Sequence, residues 1–311
     1  DITPLRQTNS SVSNIFTTAN GTNVVTVNIT GHNANEGDIV NFSGTTGLSG
    51  TSFSASDFDN NFEIQSITSA NAFTIQMATN ETTGSVTTGT ATAKFDLSIG
   101  PASSPFGYGW GTSTWNTGTW GTARTSSSVT LDGRDWSLDN FGEILIATVL
   151  DGSTFQWSPT TDGLTGRASA VTNAPTTSRF SLVSTPDRHL ILFGTEKTVG
   201  SGSSQDPLLL RFSSQEDINT YQPAATNTAG SLRVQDGSTI VGADKARGQI
   251  LVWTDTSLHG LQFIGPPFTF GLNQLGRNCG LLGQHAGVVV RDVAYWMGQN
   301  AFFVFDGTVK K

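Results

Sequence analysis

Cysteine is nearly absent. Cys279 stands alone in 311 residues, so no disulfide can form within the chain, and a cysteine-based metal site has no ligand set. A single cysteine reads as a small buried apolar side chain. Charge is scarce as well: charged residues make up 13% of the chain, about half of the ~25% usual for soluble domains. Ser, Thr, Asn and Gly take their place, so the surface is polar through hydroxyls and amides. The charge of one sign is short. Sixteen basic residues stand against 24 acidic ones, for a net charge of −8, and the Lys and Arg are scattered singly. A protein built to grip nucleic acid needs a basic stripe to release phosphate counterions, and none is present. No run approaches the ~18 apolar residues of a transmembrane helix, and no signal peptide opens the chain. His32, His189, His259 and His285 are isolated from one another, which favours turn or surface roles over a metal site.

Motifs of catalysis are missing too. There is no Gly-x-Ser-x-Gly, no His-Glu-x-x-His and no phosphate-cradling Gly-x-x-x-x-Gly-Lys. Asp135, Asp139 and Glu143 cluster, as do Glu216 and Asp217. Glycosidase chemistry needs two carboxyls held about 5–9 Å apart across a sugar, a spacing that sequence does not show. Ser137-Leu138-Asp139-Asn140-Phe141-Gly142 is loosely like the Asp-box turn of sialidases. It lacks the aromatic ending and occurs once, so a turn in which Asp and Asn bond their own backbone is the reading. Asp57-Phe58-Asp59-Asn60-Asn61 offers oxygen ligands but lacks the glycine and the twelfth-position acid of a calcium loop, and reads as a solvated loop. The chain is therefore read as no enzyme, with no catalytic, metal or cofactor-binding residues and no cofactor.

What is present is β-strand. Nineteen Phe and seven Trp, clustered in short runs, exclude disorder for most of the chain. Residues 1–11 read as an extended lead-in that forms part of the main domain. Residues 12–99 contain no Trp, Tyr or Cys. They carry five short alternating strands, at 24–29, 39–42, 62–67, 72–77 and 90–97, broken by turns such as Asn20-Gly21 and Glu36-Gly37-Asp38. That pattern predicts an inserted small β-barrel or sandwich. Residues 100–130 form a Gly/Trp-rich arm in which Trp110, Trp115 and Trp120 recur every five residues. This period fits neither a strand face nor a helix face, so the rings are predicted to dock on another surface.

From 131 to 311 a repeat takes over. Apolar strands begin at Ile144, Leu190, Ile250 and Ala294, spaced 46, 60 and 44 residues apart. A propeller blade takes ~40–50 residues, and the polar loop from 194 to 206 accounts for the longer interval. Each apolar strand is preceded by a polar turn and followed by an outer strand, at 155–157, 208–212, 258–264 and 302–305. The predicted fold class is all-β: a β-propeller, incomplete in this chain, with an inserted small β-barrel or sandwich domain. The fourth hairpin finishes a few residues before Lys311 and the chain opens at Asp1 rather than Met. The natural protein is therefore expected to continue, with other segments closing the ring. The run Gly265-Pro266-Pro267-Phe268-Thr269-Phe270 is too apolar for water, so Phe268 and Phe270, with the three tryptophans of the arm, are the candidate interface residues. Burial is expected either at an interface or in the propeller.

Several words recur in order: Ser213-Ser214-Gln215-Glu216-Asp217, Asn227-Thr228-Ala229-Gly230, Gly237-Ser238, Ile250-Leu251-Val252-Trp253-Thr254-Asp255, Gly265 through Gly271, Gly276-Arg277-Asn278-Cys279-Gly280-Leu281 and Tyr295-Trp296-Met297-Gly298. As an ordered set they resemble the tail-nozzle proteins of short-tailed bacteriophages, also called tail hub or packaged-DNA stabilization proteins. The resemblance covers about 131–307, and more weakly Asp1-Ile2-Thr3-Pro4-Leu5-Arg6. It implies a β-propeller that assembles as a ring, usually of six copies, below the portal and adaptor, holding packaged DNA until ejection. The implied partners are further copies, the tail adaptor, and tail fibres or spikes. Contact with genomic DNA in the channel would be transient and non-specific. The implied location is the phage tail, assembled in the host cytoplasm, with no stable membrane insertion. An acidic ring repels the DNA backbone, so acids are expected to outnumber bases on the channel wall. The alternative is a glycan-binding or receptor-binding propeller of the tail, motivated by the tryptophan arm.

Overall fold

The structure is a computed structural model that describes residues 2–98, 135–185 and 187–311. It separates into two units, one of residues 3–134 and one of residues 1–2 with 135–311.

The first unit is a seven-stranded antiparallel sheet. Its strands are β1 (Leu5–Thr17), β2 (Val24–Asn28), β3 (Ile39–Thr46), β4 (Asn61–Glu63), β5 (Ser66–Ser69), β6 (Ala72–Gln76) and β7 (Thr87–Asp96), with a short helix α1 (Ala55–Phe58) between β3 and β4. The order across the sheet is β4-β3-β7-β1-β2-β6-β5. Alternation places Val25 and Val27 of β2, Val40 and Phe42 of β3, Phe73 and Ile75 of β6, and Ala91, Ala93 and Phe95 of β7 in one core, as a period of two requires. Phe16 stacks on Phe58 from α1, with ring centroids 3.8 Å apart.

The lead-in needs correction. Leu5 onward does not run with the propeller: β1 pairs along β7 from Leu5↔Asp96 to Thr17↔Thr87, with three irregularities in register. Among the described residues of the lead-in, Ile2 alone groups with the propeller, its carbonyl accepting from the Ala168 amide at 2.9 Å. Its mixed side chains (Thr8, Asn9, Ser10) carry little apolar signal. Its pairing comes from the edge that β7 offers some 80 residues later in the chain.

The second unit is all-β and is built as a β-propeller, from four consecutive antiparallel sheets of four strands each. Blade 1 comprises β8 (Trp136–Phe141), β9 (Ile144–Val149), β10 (Thr154–Trp157) and β11 (Ser169–Ala170). Blade 2 comprises β12 (Phe180–Val183), β13 (Leu190–Phe193), β14 (Leu209–Phe212) and β15 (Gly230–Arg233). Blade 3 comprises β16 (Ile240–Ala246), β17 (Gln249–Thr254), β18 (Ser257–Gly265) and β19 (Thr269–Arg277). Blade 4 comprises β20 (Gly287–Val290), β21 (Val293–Met297), β22 (Phe302–Phe305) and β23 (Val309–Lys310). The apolar strands read from sequence are thus the second of each blade, and every blade has a further strand on each side. β13 is buried along its whole length, which explains its unbroken apolar run.

Polar side chains splice the first strands of neighbouring blades. Asp139 lies in β8 rather than in a turn. Its carboxylate accepts the Val183 amide of β12 at 2.7 Å and pairs with Lys245 of β16 at 2.7 Å. Asp244 of β16 accepts the Val289 amide of β20 at 3.1 Å. The Ser137 hydroxyl accepts the Ser181 amide at 2.9 Å. Each carboxylate or hydroxyl satisfies an edge-strand amide that no fifth strand covers. His285 and Asp135 meet at 2.9 Å, so the first and fourth blades also touch.

Candidate interface surface

The hairpin between β18 and β19 separates the two phenylalanines singled out from sequence. Phe270 is 3% exposed. Its ring meets Phe212 edge-on at 4.9 Å, His189 at 5.1 Å and Phe263 at 5.7 Å. Phe268, two residues earlier, is 73% exposed. The cause is local: Thr269 sits in the left-handed region at φ 63°, and the Phe270 amide closes back on the Phe268 carbonyl at 2.7 Å. The side chains therefore diverge instead of sharing a face. The Thr269 hydroxyl donates to the Thr228 carbonyl at 3.1 Å, which ties the hairpin to the β14–β15 loop of blade 2. Within this chain Phe270 is core, whereas Phe268, beside the exposed Ile264, is an apolar tip in water.

Blade 4 adds a second open apolar surface, one that sequence reading did not single out. Ala294, Trp296 and Phe305 pack with Leu251, Trp253 and Leu258 of blade 3. The alternate residues lie on the other side of the sheet. Val288 pairs with Tyr295, and Met297 with Phe302. Val288, Val290, Tyr295 and Phe302 are each at least half exposed. The signal was present in the sequence as apolar residues on both faces of β21; it did not say which face stays open. Trp110, Trp115 and Trp120 lie outside the described residues.

His189 is fully buried in the aromatic cluster around Phe270, with Nε2 3.2 Å from the Thr228 hydroxyl. Burial drives its pKa from 6.5 down to about 4, opposed by a hydrogen bond with the Asp187 backbone. The folded protein therefore holds His189 neutral where the unfolded chain protonates it. Stability from this group is complete above pH 6.5 and falls as pH drops toward 4. A tenfold change in proton affinity is worth about 1.4 kcal/mol, so on the order of 2 kcal/mol is lost across that window. Denaturant unfolding between pH 7 and 4.5 should show this slope in the wild type and a shallower one in His189→Gln. Equal slopes would refute the assignment.

Two enclosed polar groups complete the picture. Ser257 Oγ and His259 Nε2 lie 2.8 Å apart, the pairing of an activated nucleophile. Both side chains are buried, and the Ser257 hydroxyl also meets Thr254 at 2.8 Å, so the pair is shut within blade 3. Burial holds His259 below its usual pKa, with nearby Asp236 pulling it back up. Glu196 is fully buried and receives the amides of Thr176 at 2.9 Å, Thr177 at 3.1 Å, Gly200 at 2.6 Å and Ser201 at 3.1 Å. It anchors the long polar loop that lengthens the second repeat. Asp57 and Asp59 are likewise engaged: Asp57 accepts the Ser54 amide at 2.8 Å at the start of α1, and Asp59 accepts the Thr45 amide at 3.0 Å. Among the described residues no three His, Cys, Asp or Glu side chains gather to hold a metal ion. No described helix is long and apolar enough to cross a membrane.

No protein-family model matches the chain, and no curated protein matches it. Among solved structures, phage phi92 endosialidase aligns over 97% of this chain and 39% of its own length, at 12% identity and a TM-score of 0.25. The chain thus spans about two-fifths of that protein, and a likeness this slight carries no inference about function.

Proposed function

We propose that this chain is a structural component of a phage tail, one subunit of a ring-shaped nozzle that conducts and retains packaged DNA below the portal and adaptor. The observation that carries this reading is where the ordered words of the resemblance fall on blades 2 to 4. Ser213-Ser214-Gln215-Glu216-Asp217 follows β14, the run from 250 to 254 lies in β17 with Asp255 just beyond it, the run from 265 to 271 makes the β18–β19 tip, and Tyr295-Trp296-Met297 lies in β21. A propeller body fits the architecture that the resemblance implies, whereas the inserted β-domain departs from the simplest members of that family.

Surface chemistry supports assembly. Monomeric soluble proteins rarely expose contiguous apolar patches larger than a few hundred Å². This propeller exposes Ile264 and Phe268 at one tip and Val288, Tyr295 and Phe302 across one blade face. Burial against further copies or the adaptor removes them from water. Acidic balance supports passage of DNA without adhesion. It is concentrated in the inserted domain, where residues 3–98 hold seven acidic and two basic side chains.

Electron microscopy of the particle that contains the chain tests the reading. A sixfold ring coaxial with a DNA channel, its wall richer in Asp and Glu than in Lys and Arg, is expected. A chain found only at fibre tips, or a basic channel wall, would overturn it. In solution, the double variant Phe268→Asp, Phe302→Asp is expected to shift light-scattering mass toward the monomer while leaving the melting temperature nearly unchanged, since both side chains are exposed. Unchanged assembly would remove these residues from the interface.

A further inference from the structure

We propose that the inserted domain carries a separate binding site: an open groove beside β4 that takes an uncharged saccharide. This goes beyond the nozzle reading and does not rest on it.

The groove has a volume of about 670 Å³ and is lined by α1, by β4 and the residue Gln65 beyond it, and by the end of β6. That volume lies within the ~300–1,000 Å³ of ligand sites. Asn61, Glu63 and Gln65 succeed one another at alternate positions along the chain and line the groove together with Gln76 and Asp57. No Lys, Arg or His lines it, so phosphates, sialic acids and nucleic acid have no counter-charge there. Two carboxylates make it mildly repulsive to anions. Hydrogen bonds from the Ser54 hydroxyl and amide hold Asp57 below its usual carboxylate range, so it is ionised at neutral pH.

The remaining donors and acceptors suit vicinal hydroxyls. A side-chain amide offers two donors and an acceptor in fixed geometry, and a carboxylate accepts from two adjacent hydroxyls. Gln76 and Glu63 are exposed, and among the described residues their side chains make no hydrogen bond within the protein. Gln65 reaches only the Glu63 carbonyl, at 3.5 Å. These groups are held ready rather than consumed by the fold. Phe62 lines the groove half-buried, its ring 5.9 Å from that of Phe42, and supplies an apolar face for sugar C–H groups. The frame is preformed. β4 pairs with β3, and the Asn41 amide donates to Asn61 at 2.9 Å, so little ordering entropy opposes binding.

The test uses the full chain on an array of neutral hexose and N-acetylhexosamine oligosaccharides printed beside sialylated and sulfated ones. Affinity for the best glycan is then measured by calorimetry. Binding of a neutral glycan is expected, weakened about tenfold by Gln76→Ala and by Glu63→Ala, as losing one hydrogen bond to a ligand implies. Both side chains are exposed, so the melting temperature should hold; Val288→Ala in the propeller should bind as wild type. No neutral glycan bound, a preference for the anionic glycans, or affinity unmoved by both groove variants would each overturn the proposal. None of these results bears on the ring symmetry that tests the nozzle.

Discussion

The Glu81→Ala variant is expected to lose about 3 kcal/mol of unfolding free energy in the inserted domain, because it strips a buried carboxylate from several donors at once. Glu81 is 0% exposed. It accepts from the Thr51 hydroxyl, the Ser52 amide at 2.8 Å and the Thr83 amide at 2.8 Å. Its own amide donates to Thr22 at 2.9 Å, and its carbonyl accepts from Gly21 at 2.8 Å. Three connections therefore meet at one residue: the β1–β2 turn, the loop before α1 and the loop before β7. Alanine leaves the Ser52 and Thr83 amides without their acceptor, which is costlier than losing the hydrogen bonds themselves. Burial pushes the Glu81 pKa up, but the donors outweigh it and bring it from 4.5 down to about 2. The folded state thus holds the ionised form more tightly than the unfolded chain does. The stabilisation is complete above pH 4.5 and disappears as pH falls toward 2. Residues 12–99 hold neither Trp nor Tyr, so no strand of this domain carries a tryptophan reporter. Hydrogen exchange of the β2 and β6 amides or calorimetry does. A Glu81→Ala protein with wild-type protection and the same acid midpoint would refute the assignment.

Phe270→Ala is expected to cost about 3–5 kcal/mol, the usual range for emptying a buried aromatic site. The same change at Phe268 should stay within about 0.5 kcal/mol, as for other exposed positions. Phe270 fills the space between Phe212 of blade 2 and Phe263 of blade 3, with His189 against its edge. Its loss opens a cavity between blades and gives water a path to an imidazole kept neutral by burial. A secondary effect follows: the His189 pKa should rise toward 6.5 in Phe270→Ala, and the pH slope between 6.5 and 4 should flatten. Urea unfolding followed by tryptophan emission reports on this unit, since Trp253 and Trp296 are buried in the core between blades 3 and 4. Equal stabilities for Phe268→Ala and Phe270→Ala would contradict the separation of the two rings.

Blades were legible because a blade's signal is local. Ile144, Leu190, Ile250 and Ala294 each lie in an apolar run of a few residues, and their spacing is blade-sized. The first strands were harder to read. β8 and β16 carry Asp139 and Lys245, polar positions that sequence reading gave to turns, and Asp244, which it left unassigned. The amides that the two acids bind, those of Val183 and Val289, lie some 45 residues away, and no local pattern announces such a bond. Glu81 and Glu196 were missed for a related reason. A lone acid amid Ser, Thr and Gly looks solvated, and it becomes a buried hub only where loops from distant positions converge their amides on it. The groove residues Asn61, Glu63 and Gln76 have the same history: each is an ordinary exposed polar residue until β4 and the end of β6 come together.

By itself the sequence determined the all-β class, the blade repeat, the β-character of the insertion and the absence of a disulfide framework. Each of these follows from side-chain alternation, spacing or composition, which short windows contain in full. Tertiary structure decided which edge β1 joins, which of Phe268 and Phe270 is buried, which face of blade 4 stays open and which acids are enclosed. Those outcomes depend on register and packing between segments far apart in the chain, where a backbone turn such as that at Thr269, or the nearness of an unpaired amide, selects among arrangements that local pattern leaves equal.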